Sequence, residues 1–234
     1  MITKIGQVGK APSQLTYRGF RVERKGFLTT LSYAVDGVKR RFDVMERGHA
    51  VAVLPVDFRT RELYMLSEIR SNRPFGKLER GRAWIRKVLR DAFTPPEETF
   101  EVLTCEARVY ELCAGMIDGD ETPQAAAVRE LREETGLVVG EDRLIAVGGH
   151  FPSIGGSTEI VHLFLVRLEE GHDASRVGTD GDGTEAMDIL KMSWDDAFGL
   201  IKAGKIETTS TGLLLRELKI IDLEGRLAQR KDTP

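Results

Sequence analysis

Between Gly115 and Leu137 the chain reads GMIDGDETPQAAAVRELREETGL, and the punctuation of that run admits one local structure. Thr122 is a residue type that caps a helix start, Pro123 fits a first helical position where no N–H is needed, and Gly136 tolerates the left-handed backbone that ends a helix. The text therefore predicts a helix from about Pro123 to Thr135, and its caps fix the phase. In that phase Glu130 and Glu134 share a face, Glu133 lies one turn from Glu130, and Ala127 with Leu131 belongs to a face suited to packing. Three acids thus crowd the C-terminal end, where like charges at this spacing cost roughly a few tenths of a kcal/mol per pair and the helix dipole already disfavours anions. Something must compensate them. Hard divalent cations do so through carboxylate oxygens, and Mg²⁺ in particular pairs one or two carboxylates with substrate phosphates and water. A solvated acidic patch, partly neutralised by Arg129 and Arg132, is the competing reading of the same residues.

The rest of the chain supplies the setting. Its 234 residues make one large domain, or one ordinary domain with a small appendage. Alternation in YRGFRVERKG, FLTTLSYAVDG and VKRRFDVM, with Asp36-Gly37 as a hairpin turn, predicts three antiparallel strands from Tyr17 to Met45. Three strands bury little apolar surface alone, so this unit must pack on the main domain or on another chain. His49 to Val56 and Glu62 to Ile69 read as two further strands joined by the turn DFRTR. A basic segment comes next, 71–98, with Trp84, Ile85, Val88 and Leu89 at helical spacing, read as an amphipathic helix with a solvated basic face, with a phosphate-contacting lid as the alternative. Strands are expected around Phe100 to Leu103, at Arg108 to Cys113, Leu144 to His150, Glu159 to Leu168 and Met187 to Trp194. Helices are expected near Asp195 to Ala203 and Thr211 to Leu223. Mixed strands and helices without strict alternation point to an α/β sheet with helices on its faces. The organisation expected is an N-terminal β subdomain over 1–46, a main domain over 47–225 with the 71–98 insertion, and a tail over 226–234.

Thirty-four basic and thirty-seven acidic residues leave a net charge of −3, too balanced for a nucleic-acid coat or a membrane-surface protein. Any polyanion must be met by a local site. No stretch approaches about 18 consecutive apolar residues, and the opening MITKIGQVGKAPSQ lacks an apolar core of signal-peptide length. The two cysteines, Cys105 and Cys113, are too few for a zinc quartet or a disulfide framework and read as reduced and buried. A cytoplasmic protein is the expectation.

The acidic segment matches G-x5-E-x7-R-E-U-x-E-E-x-G-U, with U aliphatic, at every position. Its seven identities, at about one in fifteen each, make a chance match anywhere in the chain on the order of one in a million, which sets the solvated patch aside. The segment resembles the Nudix hydrolase box. ELCAG before it, the PSIGGSTE run from Pro152 to Glu159 and the tail from Glu185 to Leu218 are similar to the ADP-ribose and nucleotide-sugar branch of that superfamily, GDP-mannose and UDP-sugar hydrolases included.

That resemblance implies an α/β/α sandwich around a mixed sheet, preceded by a small antiparallel β subdomain that mediates a swapped homodimer, with Arg18 or Arg21 reaching the partner's site. It implies hydrolysis of ADP-ribose or a nucleoside diphosphate sugar with Mg²⁺, or Mn²⁺ in its place. The metal ligands it implies are Glu130, Glu133, Glu134 and the main-chain carbonyl of Ala114. Glu121 and Arg129 would brace the loop against the helix, and the catalytic set would be Glu133, Arg129 and Glu185. Glu185 falls on the Gly171 to Met187 loop as general base, with Asp180, Asp182 and Asp188 as rivals. Substrate contacts implied are Arg70, Glu111, Pro152 and Glu159. The run Ser67-Glu68-Ile69-Arg70 departs from the R-Q-aromatic pattern of the branch, which puts its nucleotide-contact geometry in question. A ligand-sensing protein without catalysis is the alternative; it would be expected to have lost box acids or gained a DNA-binding extension.

Overall fold

The structure is a computed structural model that describes residues 17–25, 28–35, 38–69, 108–174 and 187–231. Its contacts divide the chain into two compact units, Met1–Gly48 with Phe151–Ile160, and His49–His150 with Val161–Pro234.

The first unit contains three antiparallel strands, β1 (Tyr17–Lys25), β2 (Leu28–Val35) and β3 (Val38–Met45), in that spatial order. Val35 faces Val38 across β2 and β3, the register of a two-residue connection, although Asp36 and Gly37 lie outside the described residues. The 151–160 segment joins this unit through Met45, which donates its N–H to Gly156 at 2.8 Å and accepts from Thr158 at 3.3 Å.

The second unit is built on β4 (Ala50–Asp57), buried along almost its whole length. A run as continuously apolar as AVAVLPV suits a strand covered on both faces. One side of β4 pairs in parallel with β9 (Val161–Arg167), which pairs antiparallel with β8 (Leu144–His150). The other side is shared. Near its end β4 pairs through Val56 and Asp57 with β5 (Glu62–Ile69), whereas near its start Ala50 to Val53 pair with β7 (Cys113–Met116). Pro55, which has no N–H to donate, sits in the gap between those two pairings. The chain enters this fork as β6 (Arg108–Glu111) along β5 and leaves as β7 along β4, so the single predicted strand 108–113 is two short strands reaching Met116. On the far edge β10 (Asp188–Ser193) pairs antiparallel with β5.

Alternation along β4 then sorts the core. Ala50, Ala52, Leu54 and Val56 pack with Leu163 and Leu165 against Trp194 and Phe198 of α2 (Trp194–Lys202) and Leu214, Leu215 and Leu218 of α3 (Thr209–Lys231). Val51 and Val53 pack with Phe164 and Val166 against Ala126, Ala127 and Leu131 of α1 (Pro123–Thr135). A mixed sheet between helices on both faces is the expected α/β/α sandwich. Helix α3 continues to Lys231, past the Leu223 read from sequence. Among the described residues no helix is long and apolar enough to cross a membrane.

Leu131 is fully buried at the centre of the α1 face. Leu131→Ala should lower the unfolding free energy by about 2–5 kcal/mol, measured by urea denaturation. A loss below about 1 kcal/mol would mean that α1 is not anchored through this residue.

Candidate functional site

Helix α1 begins and ends as its sequence dictates. The Thr122 hydroxyl accepts the N–H of Ala125 at 3.1 Å, Pro123 opens the first turn, and Gly136 adopts φ 72° and returns its N–H to the Arg132 carbonyl at 3.0 Å. With both ends fixed, Arg129, Glu130, Glu133 and Glu134 fall beside β7.

Arg129 is the hub. Its Nε and Nη2 meet the two carboxylate oxygens of Glu121 at 3.1 and 3.0 Å, a fork that holds the loop ahead of the helix against the helix itself. Nη2 also donates to the Met116 carbonyl at 2.9 Å, while Nη1 donates to Glu130 at 2.7 Å and to Glu133 at 3.2 Å. The expected Glu121–Arg129 pair is formed, and it is one part of a wider network. The bond to Arg129 holds the Glu121 carboxyl below its ordinary value, and the same bond raises the guanidinium.

The acids are set by strand β7 as much as by the helix. Glu130 lies directly over Gly115, so closely that a Cβ built there would stand 1.8 Å from its Oε1. Glycine is required here for approach, not for a turn. The Glu130 side chain is only 12% exposed, and burial pushes its carboxyl up, with Arg129 opposing that shift. Glu134 accepts the Ala114 N–H at 3.0 Å. The Cys113 thiol is buried and pushed well up, first by burial and then by Glu134, Glu130 and Glu133, so it stays a thiol. Glu111 pairs with Leu66, whose side chain packs on the α1 face, so Glu111, Cys113 and Gly115 alternate onto that face in one row.

Among the described residues no three acid, cysteine or histidine side chains surround a common point as a formed cation cage. Glu130 and Glu133 close on Arg129 instead. The donor chemistry nevertheless fits a hard divalent cation. Three carboxylates and a nearby carbonyl form an all-oxygen set, and Glu130 is a desolvated acid whose ionised form needs more positive charge than one shared guanidinium supplies.

The remaining sequence-derived residues divide. Pro152 and Glu159 belong to the 151–160 segment of the first unit, where Glu159 takes its N–H to the Ser157 hydroxyl at 3.1 Å. Arg70, Glu185, Asp180, Asp182 and the 71–98 insertion lie outside the described residues, as do Cys105 and the expected 100–103 strand. Asp188 opens β10 opposite Ser67. Asp173, which precedes Glu185 in sequence, accepts from the Tyr64 hydroxyl on β5. The roles of Gly115, the Met116 carbonyl and Cys113 were not read from the sequence; the alternation of Glu111, Cys113 and Gly115 was the available signal.

The family model described as NUDIX domain matches residues 88–208. GDP-mannose pyrophosphatases of Escherichia coli O157:H7 and Shigella flexneri are 34% identical to this chain over 116 residues, covering 50% of it and 58% of their own length. The chain thus spans little more than half the length of these curated relatives. The crystal structure of an ADP compounds hydrolase aligns with a TM-score of 0.61 at 16% identity, over 93% of this chain and 98% of that one, a likeness of fold.

Because Glu121 titrates below 4.5 when folded, its pairing with Arg129 stabilises the protein fully above that pH and is lost as pH falls through the lowered value. Glu121→Gln should therefore be less stable than the unaltered chain at neutral pH, with the gap closing below 4.5 in urea unfolding at a series of pH values. A gap independent of pH would show that the pair does not act through charge.

Proposed function

This chain belongs to the NUDIX domain family, and on that premise we propose that it is a divalent-cation-dependent pyrophosphatase acting on ADP-ribose or a nucleoside diphosphate sugar. The products would be a nucleoside monophosphate and a sugar phosphate. The observation that carries the reading is the set of carboxylates gathered at β7, with Glu130 laid over Gly115, Glu134 on the Ala114 N–H and Glu133 on Arg129. The names of the curated relatives support the substrate class.

Glu130, Glu133, Glu134 and the Ala114 carbonyl would hold Mg²⁺, or Mn²⁺ in its place. When bound, such a cation neutralises charge on the bridging phosphates and acidifies a water. Arg129 keeps the loop and helix at a fixed separation while those acids exchange partners. Glu111 is a proposed substrate contact, as are Arg70, Pro152 and Glu159. Glu185 is assigned the proton from the attacking water, with Asp188 and its neighbours as substitutes. The Tyr64 hydroxyl holds Asp173, which lies ahead of Glu185 in sequence, against β5.

The three-stranded sheet is assigned to homodimer formation, since so small a sheet needs a covering partner. Light scattering on the purified chain should give twice the 26.1 kDa chain mass, and a monomer would remove this assignment.

The activity is tested by incubating the protein with Mg²⁺ and a panel of ADP-ribose, GDP-mannose, UDP-glucose, NADH and diadenosine polyphosphates, and identifying the products. Glu134→Gln should abolish nearly all turnover with the fold intact. Glu185→Gln should lower kcat by roughly 10²–10⁴ while changing KM little. Tight binding of a panel member without turnover would instead make the protein a sensor.

A further inference from the structure

One buried polar side chain at the end of α1 stands outside the proposed chemistry. Thr135 is 1% exposed, at a position where the box pattern accepts any residue. Its hydroxyl donates to the Leu131 carbonyl at 2.5 Å and accepts the Leu137 N–H at 3.2 Å. One oxygen thus ties the last turn of the helix to the first residue beyond the left-handed cap at Gly136. Leu131 and Leu137 are themselves buried in the cluster on the α1 face, so the hydroxyl joins two points already held by the core.

Glu133 and Glu134 lie between those two points. Helix ends fray because their last carbonyls run out of partners, and like charges gathered at a C-terminus favour the frayed form. Gly136 counters this through its N–H on the Arg132 carbonyl, and Thr135 adds a side-chain bond on either side of that cap. A hydroxyl suits the position because it donates and accepts at once, whereas a valine of similar shape does neither. Within a helix, a threonine that bonds back to the carbonyl four residues earlier is slightly destabilising. At the last helical residue the same oxygen is placed to catch the chain as it turns away.

We propose that Thr135 is a positioning residue for the cation site, its two hydrogen bonds fixing the exit of α1 and with it the turn that carries Glu133 and Glu134. The inference rests on the reading of those acids as cation ligands. Glu134 reaches the Ala114 N–H and Glu133 reaches Arg129 from that turn, so a loosened exit displaces both carboxylates together. Groups that support metal ligands from behind are worth about 10–100-fold in affinity, and the loss of this one is measurable without altering a ligand.

The test is Mn²⁺ binding to the full chain by calorimetry, with thermal unfolding followed alongside. Leu214→Ala, a truncation of a fully buried side chain on the opposite face of the sheet, serves as a destabilised comparison that leaves α1 untouched. Thr135→Val, which keeps the side-chain volume and removes the hydroxyl, should weaken Mn²⁺ binding by roughly tenfold; Thr135→Ser, which keeps the hydroxyl, and Leu214→Ala should stay within about threefold of the unaltered protein. Should the valine variant fail to fold, Thr135→Ala takes its place, equally without a hydroxyl and with the best helix former. Unchanged affinity in the variants that lack the hydroxyl would overturn the proposal, whatever their unfolding temperatures. So would an equal loss in serine and valine, or a loss in Leu214→Ala as large as theirs, since affinity would then follow packing or overall stability. If the unaltered chain binds no Mn²⁺, the cation reading of the site fails and this inference with it, a result visible before any substitution is made.

Discussion

A single guanidinium holds the acidic corner together. Arg129 reaches back to Glu121 and Met116, forward to Glu133 and sideways to Glu130, so the loop, the helix and strand β7 all meet on one side chain. Only arginine offers this. Its planar fork can bind one carboxylate with two parallel bonds and still present donors in other directions, and it stays charged at every working pH. A lysine would carry the charge without the fork and could brace the loop or the acids, not both at once. The network is also what makes a mostly buried Glu130 tolerable, since an ionised carboxylate without a nearby cation would take up a proton.

Strand pairing supplies the second constraint. The acids are useful only because β7 runs beside the helix that carries them, and β7 reaches that place through a fork between β4 and β5. The fork depends on β4 exchanging partners along its length, and Pro55 lies where neither antiparallel neighbour requires an N–H. Gly115 then removes the one Cβ that would collide with Glu130. Site and scaffold are one object here, because moving β7 by one residue would place a side chain where the carboxylate must lie.

These dependences explain which elements were legible from sequence. Helix α1 was legible to the residue because its start and end are local chemistry, a hydroxyl, a proline and a left-handed glycine. The three-stranded unit and most strands of the sheet were legible from alternation and turns. The division of 108–116 into two strands was not, since it is decided by which neighbour each half meets, and those neighbours, β5 and β4, are distant in sequence. Likewise the phase of the helix gave the acids but not their footing. Nothing in a one-dimensional reading says that the glycine opening the box lies under Glu130, or that the Ala114 N–H meets Glu134. Those contacts arise from two elements crossing. The 23-residue final helix outran its expected end by continuing through Gly225, a residue type that commonly ends helices.

Charge balance settles how the corner would work on the proposed reading. Glu121, Glu130 and Glu133 share one guanidinium, and Glu121 already takes two of its bonds. A diphosphate approaching that excess of negative charge is repelled, and the repulsion is strongest near Glu130, where burial weakens the screening by water. A divalent cation held by Glu130, Glu133, Glu134 and the Ala114 carbonyl would supply the positive charge that a diphosphate needs there. With a cation held there, Glu130 and Glu133 would no longer compete for Arg129, and the guanidinium would be left to Glu121 and Met116. On this account Arg129 braces the loop more firmly in the loaded site than in the free one, and substrate affinity must rise with cation concentration over the range in which the carboxylates fill.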